Sequence, residues 1–377
     1  MSTPGHTPTA ALGIDSLLGD ARVIVCCGSG GVGKTTTAAA LGLEAASRGM
    51  RAVVITIDPA RRLADALGVP GGLGNEPTRL SIGTDDHAAS GELWAMMLDT
   101  ASTFDGLVRS QAATPDQAER ILANGFYRNI ASSLSGTQEY MAAERLHALH
   151  HDDRFDLVIV DTPPSRNALD FLDAPGTLSR FLEHPVFTLM MLPARRGLKV
   201  LNIASQPLLK SIGKVVGGDV LADAIAFFQA FAGMETGFRQ RADDVQALLR
   251  STSTKFVLVA SPRDDTIDEA RFFAARLAAS ALPVTAVIVN RCTPLFDAPA
   301  AARPTDPVLA TLHDNLVELH EIARRERDQA ADLLADVAAR ATAGTVFVPT
   351  LAGDVHDLGG LEAVRRALCA DGDRGTA

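Results

Sequence analysis

Cysteine is scarce. Four residues in 377 (Cys26, Cys27, Cys292 and Cys369) are too few and too irregularly spaced for a disulfide framework. Long apolar runs are also missing: no window offers about 18 uncharged apolar residues, so no membrane-spanning helix is expected. Positive charge is in deficit, with 35 Lys and Arg against 45 Asp and Glu and a net charge of −10 at pH 7. A broad nucleic-acid or anionic-membrane footprint is therefore not expected. The opening MSTPGHTPTA has neither a basic segment nor an apolar core before a cleavage site. No signal peptide is expected, and the cytosol is the expected compartment. No internal repeat is visible.

What is present is ordinary in bulk, with 47% hydrophobic and 21% charged residues, as in a soluble globular protein of one large or two smaller domains. The informative stretch is ARVIVCCGSGGVGKTTTAAALGL, Ala21 to Leu43. A valine-rich run reads as a fully buried strand, a glycine-rich turn follows, and an alanine-rich segment reads as a helix. That order makes a phosphate cradle, in which backbone N–H groups and the positive end of the helix dipole converge on an anion. The candidate nucleotide-binding residues are Gly28, Ser29, Gly30, Gly31, Val32, Gly33, Lys34, Thr35 and Thr36. Lys34 is expected to reach the outer phosphates, and the Thr35 hydroxyl to bind magnesium directly.

The rest of the chain reads as a sheet interrupted by helices. Residues 1–20, rich in Thr, Pro and Gly, are expected to be a flexible leader, and 371–377 a flexible tail. Buried strands are expected at 21–27, 52–58, 155–161, 255–261, 284–290 and 345–349, with a shorter one at 78–83. Helical insertions are expected at about 92–151 and 168–250. In the first, Trp94, Met97, Leu98, Phe104, Leu107 and Val108 recur at helical spacing. In the second, Met190, Met191, Phe227, Phe228, Phe231 and Met234 suit either a helix core or an adaptable apolar groove. A long charged helix (309–341) and a closing helix (358–370) complete a single α/β domain, a P-loop nucleotide-binding sheet, mostly parallel, with a helical subdomain.

Two strands end in carboxylates, Asp58 and Asp161, on the edge that carries the phosphate loop. Phosphoryl transfer needs a cradle, a magnesium and a group that orients the attacking water. Asp161, before Thr162-Pro163-Pro164, suits a carboxylate holding magnesium through water. Asp58, before Pro59, suits the group that orients that water or accepts its proton. Lys34, Asp58 and Asp161 are the candidate catalytic residues.

With these motifs in place, the chain resembles the ArsA/GET3 family of P-loop ATPases, the arsenite pumps and tail-anchored-protein targeting factors, as a bacterial single-domain member. The matching segments are GSGGVGKTTT (28–37), IDPARRLADALG (57–68), VDTPPSRNALDFL (160–172), IVN (288–290) and VPTLAGDVHDL (348–358). The resemblance implies ATP with Mg2+ bound near a dimer interface, and hydrolysis driving a conformational switch. It assigns Asp58 to the first switch and Asp161 to the second, Asn290 to the adenine, and Pro349 with the loop through Val355 to the base. The two insertions correspond to the family's membrane-helix or effector subdomain, which implies an apolar client or a membrane partner and a peripheral location through that partner.

Three departures qualify the resemblance. Ser29 stands where the family usually has a second lysine that reaches the partner subunit's phosphates. A dimer is expected, either with a paralogue that keeps this lysine or between two copies of this chain, with Arg61, Arg62 and Arg166 as substitute cations. No Cys-x-x-Cys is present, so the targeting factors' zinc clasp is not expected. Clustered thiols for arsenite are not evident either. Two alternatives stay open: a nucleotide-binding regulatory subunit of a heterodimer, and a partition-type ATPase. The acidic charge and long apolar insertions weigh against the latter.

Overall fold

A computed structural model of the chain describes residues 14–58, 62–82, 91–128, 137–163, 174, 218–295, 302–338 and 344–370. They divide into two compact units, one formed by residues 1–97, 152–169 and 250–377 and the other by 98–151 and 170–249.

The first unit is built on an eight-stranded sheet. Its strands are β1 (Val23–Cys27), β2 (Arg51–Thr56), β3 (Thr78–Leu80), β4 (Glu92–Met97), β5 (Leu157–Asp161), β6 (Thr254–Ala260), β7 (Val284–Cys292) and β8 (Gly344–Pro349). Their order across the sheet is β3-β4-β2-β5-β1-β6-β7-β8. The β3–β4 edge pair is antiparallel and the remaining ladders are parallel. This mostly parallel α/β sheet is the expected class. Central strands VIVCC and LVIVD are buried at every position because helices cover both faces, which is why they read as continuous apolar runs. On one face Ile24, Cys26, Val54, Ile159, Val257 and Ile288 share a core with helices α1 (Ile14–Leu18), α2 (Lys34–Ser47), α3 (Arg62–Ala66) and α11 (Leu358–Ala370). The alternate residues Val23, Val25, Val158, Val160 and Leu258 are equally buried on the other face. There α9 (Asp264–Ala279) contacts β6 and β7, and α10 (Pro307–Ala338) contacts α9 and β7.

Registry positions the chemistry. Asp161 at the end of β5 lies level with Thr56 on β2 and Cys26 on β1. The loops that follow these three strands therefore leave the sheet from one row.

The second unit is helical: α4 (Thr100–Gln111), α5 (Pro115–Leu122), α6 (Thr137–His150), α7 (Gly218–Phe231) and α8 (Glu235–Leu249). Asp99 caps α4 by accepting from the Ser102 N–H at 2.7 Å, and Thr114 caps α5 ahead of Pro115. Phe227, Phe228, Phe231, Met234 and Phe238 are buried together with Leu107, Ile121, Tyr127 and Tyr140. Of the two uses open to Phe227, Phe228, Phe231 and Met234, they serve as helix core; Met190 and Met191 lie outside the described residues. Arg241 donates to Glu144 at 2.7 Å and ties α8 to α6.

Two expectations are corrected. The leader does not run to residue 20: Ile14, Leu17 and Leu18 of α1 are buried in the sheet's core, the apolar triplet outweighing the polar composition around it. Trp94 and Met97 are not helical. They belong to β4, paired with β2, and the helical unit begins at Leu98. Large apolar side chains stand even at the partly buried positions of β4, Trp94 and Met97, so the sequence shows no alternation and its apolar residues run on into the amphipathic spacing of α4. No described helix is long and apolar enough to cross a membrane.

Candidate functional site

The phosphate loop joins β1 to α2. Gly28, at φ 150°, packs so closely on β6 that a Cβ would stand 2.1 Å from the Val259 carbonyl oxygen. Gly33, at φ 96°, caps α2 in a left-handed conformation, and a Cβ there would meet the Asn290 amide at 2.2 Å. Lys34 is buried at the start of α2, with Nζ donating to the Ser29 carbonyl oxygen at 2.8 Å. Burial lowers its pKa, while the nearby charge of Asp161 opposes that shift.

Asp161 is the best-held carboxylate of the site. Its Oδ2 accepts from the Thr35 hydroxyl at 2.8 Å and from the Thr56 hydroxyl at 3.0 Å. Burial pushes the carboxyl up to about 6, against the pull of those two hydrogen bonds and of Lys34. Its Oδ1 is buried and has no hydrogen-bond partner among the described residues. Next to it, Thr162 donates through Oγ1 to the Cys26 carbonyl at 2.7 Å and locks β5 to β1. Asp58 lies two residues beyond Thr56, its Oδ2 3.6 Å from Nη1 of Arg62. Pro59, Arg61, Pro164 and Arg166 lie outside the described residues.

A cleft of about 570 Å³ is lined by Gly30, Gly31, Gly33, Lys34, Thr35, Thr36, Asp58, Arg62, Asp65, Thr162 and Arg291, among others. A neighbouring cavity of about 300 Å³ is lined by Gly33, Thr36, Asn290, Arg291, Pro349, Leu351 and Val355, among others. The Asn290 amide also donates to the Val32 carbonyl at 2.9 Å, holding β7 against the phosphate loop. The structure thus gathers Gly30, Gly31, Gly33, Lys34, Thr35, Thr36 and Asp58 around one cleft, and Asn290 with Pro349 around its neighbour. Gly28, Ser29, Val32 and Asp161 stand behind these walls: Gly28 for packing, Val32 in the core, and Ser29 buried with an Oγ that has no hydrogen-bond partner among the described residues. Thr56, Thr162 and Arg291 were missed from sequence. Threonines end many strands, and only the register that sets Thr56 beside Asp161 gives its hydroxyl a meaning.

The donors suit a magnesium held mainly by water and phosphate. Among the described residues no three His, Cys, Asp or Glu form a metal cage, and the Thr35 hydroxyl with the unpartnered Asp161 Oδ1 matches a cation that keeps most of its waters. Burial pushes the Cys27 thiol up to about 12.

Sheet, loop and paired threonine–aspartate contacts define a P-loop nucleotide-binding protein. Residues 21–302 match the family model described as anion-transporting ATPase. The chain belongs to that ArsA/GET3 family of P-loop ATPases. It is similar to Protein Rv2184c of Mycobacterium tuberculosis, at 32% identity over 170 residues, 43% of this chain and 39% of that protein. ATPase GET3 of Malassezia globosa is 30% identical over 159 residues, 42% of this chain and 44% of that protein. An uncharacterized Streptomyces coelicolor protein, SCO2128, is 28% identical over 288 residues, 76% of this chain and 66% of that protein. The chain spans less than half the length of the first two relatives.

Proposed function

We propose that this chain is a Mg-dependent ATPase whose hydrolysis drives a dimeric switch on an apolar client or a membrane-associated partner, from the cytoplasm. One observation carries the chemistry: Thr35 and Thr56 occupy Oδ2 of Asp161, and Oδ1 is left buried and unpartnered beside the cleft. Such an acceptor is costly unless something completes it, and a magnesium-bound water does. A magnesium held there would supply charge neutralisation for the outer phosphates. Lys34 holds those phosphates, Gly30 to Thr36 cradle them through N–H groups, and Asn290 and Pro349 receive the base. Asp58 orients the water, with Arg62 holding its carboxylate in place. A dimer is proposed with a paralogue that keeps the early lysine, because Ser29 is buried and has neither charge nor reach. That same serine favours a second reading, a regulatory subunit that binds nucleotide for an active paralogue.

Asp58→Asn tests the chemistry. Binding of labelled ATP should persist while phosphate release falls by about 100-fold or more, since the lost interaction acts mainly in the transition state. Normal turnover in this variant would remove Asp58 from the mechanism. For the dimer, the chain is mixed with such a paralogue and the phosphate-loop lysine of each is replaced in turn. Full activity from this chain alone, with no gain on mixing, would eliminate the paired scheme.

A further inference from the structure

Among the described non-glycine residues, Ala281 and Arg291 have positive φ, at 59° and 61°. Ala281 has a local reason, since it closes α9: its N–H donates to Ala278 O, and the Leu282 N–H to Leu277 O at 2.9 Å. Arg291 closes no helix. It sits inside β7, where pairing with β8 steps from Asn290–Val348 to Cys292–Pro349 and passes over it. A bulge there needs a left-handed residue, and glycine would take that conformation without cost. Arginine stands there instead, at a backbone cost that glycine would not incur.

The bulge is deliberately held. Asn290 Oδ1 accepts from the Arg291 N–H at 2.9 Å while its amide donates to Val32 O, and the Thr350 N–H rejoins the ladder at Cys292 O, 2.8 Å away. Arg291 is thereby placed on the wall shared by the two cavities, alongside Gly33, Thr36 and Val355. Of the other cations of the cleft, Lys34 is bonded to the loop and Arg62 faces Asp58. Arg291 forms no ion pair among the described residues, although Asp354 lines the neighbouring cavity.

We infer that Arg291 is a nucleotide-binding cation that contacts the α-phosphate, between the base at Asn290 and Pro349 and the outer phosphates at Lys34. This rests on the nucleotide reading of the site and adds a residue to it. An α-phosphate contact is common to ATP and ADP, so it stabilises ground and transition states alike and acts on affinity.

The experiment uses the full chain and its Arg291→Gly, Arg291→Ala and Arg291→Lys variants. Fluorescently labelled ATP and ADP are titrated with Mg2+, and melting is followed without nucleotide. Arg291→Gly should melt at or above the parent temperature, because glycine relieves the backbone, yet lose about tenfold or more in affinity for both nucleotides equally. Arg291→Lys should recover part of the affinity, and KM should rise by a larger factor than kcat falls. Arg291→Gly that melts lower, or binds both nucleotides as the parent does, would overturn the assignment, as would a loss confined to ATP. A parent chain that binds neither nucleotide would overturn the reading of the whole site, an outcome distinct from a variant matching a parent that binds.

Discussion

Neutralising Asp161 should stabilise the nucleotide-free protein while abolishing its chemistry. The carboxyl titrates near 3.8 when exposed and is pushed to about 6 by burial in the fold. The folded form therefore keeps its proton to higher pH than the unfolded chain, and stability falls as pH rises from about 4 to about 6.5. Two pKa units correspond to ~3 kcal/mol at pH 7.5, and about half of this remains at pH 5. Asp161→Asn keeps an acceptor for Thr35 and Thr56 but places an NH2 where Oδ1 was unpartnered, at a pH-independent cost of ~1 kcal/mol. The decisive quantity is thus the change in the stability gap with pH. Thermal melts of both proteins in chelator, without nucleotide, should show the variant gaining roughly 2 °C on the parent between pH 5 and pH 7.5. A gap that stays constant over that range, or narrows, would mean that Asp161 carries no buried charge and that the unpartnered oxygen has no significance.

Gly28→Ala should cost several kcal/mol in urea denaturation, because its Cβ would collide with a backbone carbonyl of β6 that cannot turn aside. Arg365→Ala should cost ~2 kcal/mol by the same measurement. Burial alone would raise the Glu44 carboxyl, but hydrogen bonds from Arg365 and Arg48 outweigh it and hold the group below its ordinary value. That contribution is fully present above pH 4.5 and is lost as pH falls through the lower pKa of the folded carboxyl. Glu362, held down to about 2 mainly by its hydrogen bond from Arg365, keeps its charge further into acid. The Arg365→Ala deficit should therefore shrink only well below pH 4.5, and a deficit that is the same at pH 2.5 and pH 7 would contradict the ion-pair account.

Much of this was legible in the sequence for a specific reason. Strands buried on both faces write themselves as valine-rich runs, and a glycine loop between such a run and an alanine-rich helix has few other uses. Lys34, Thr35 and the terminal aspartates followed from that frame. β4 was not legible, because Glu92 to Met97 lacks both alternation and a breaker before the helix that begins at Thr100. Thr56 and Arg291 were hidden for another reason. The role of Thr56 comes from a neighbour more than a hundred residues away in sequence, and that of Arg291 from a ladder that skips one residue. Periodicity carries neither kind of information. The aromatic cluster around Phe227 shows the converse limit, since a groove and a core need the same side chains.

The cysteines of β1 have a practical consequence. Thiols react as thiolates, and Cys26 and Cys27 are fully buried on an interior strand of the sheet, with acidities suppressed by their surroundings. Cys369, partly exposed on α11, is accessible without such an opening. An alkylating reagent therefore marks the strand cysteines only in molecules whose sheet has come apart, and their labelling rate is a clock for that event. Any nucleotide that binds only the folded form slows the clock by a factor of one plus the ratio of its free concentration to its Kd. Ligand recognition by this chain can be timed at its own sulfur atoms, with no hydrolysis and no partner required.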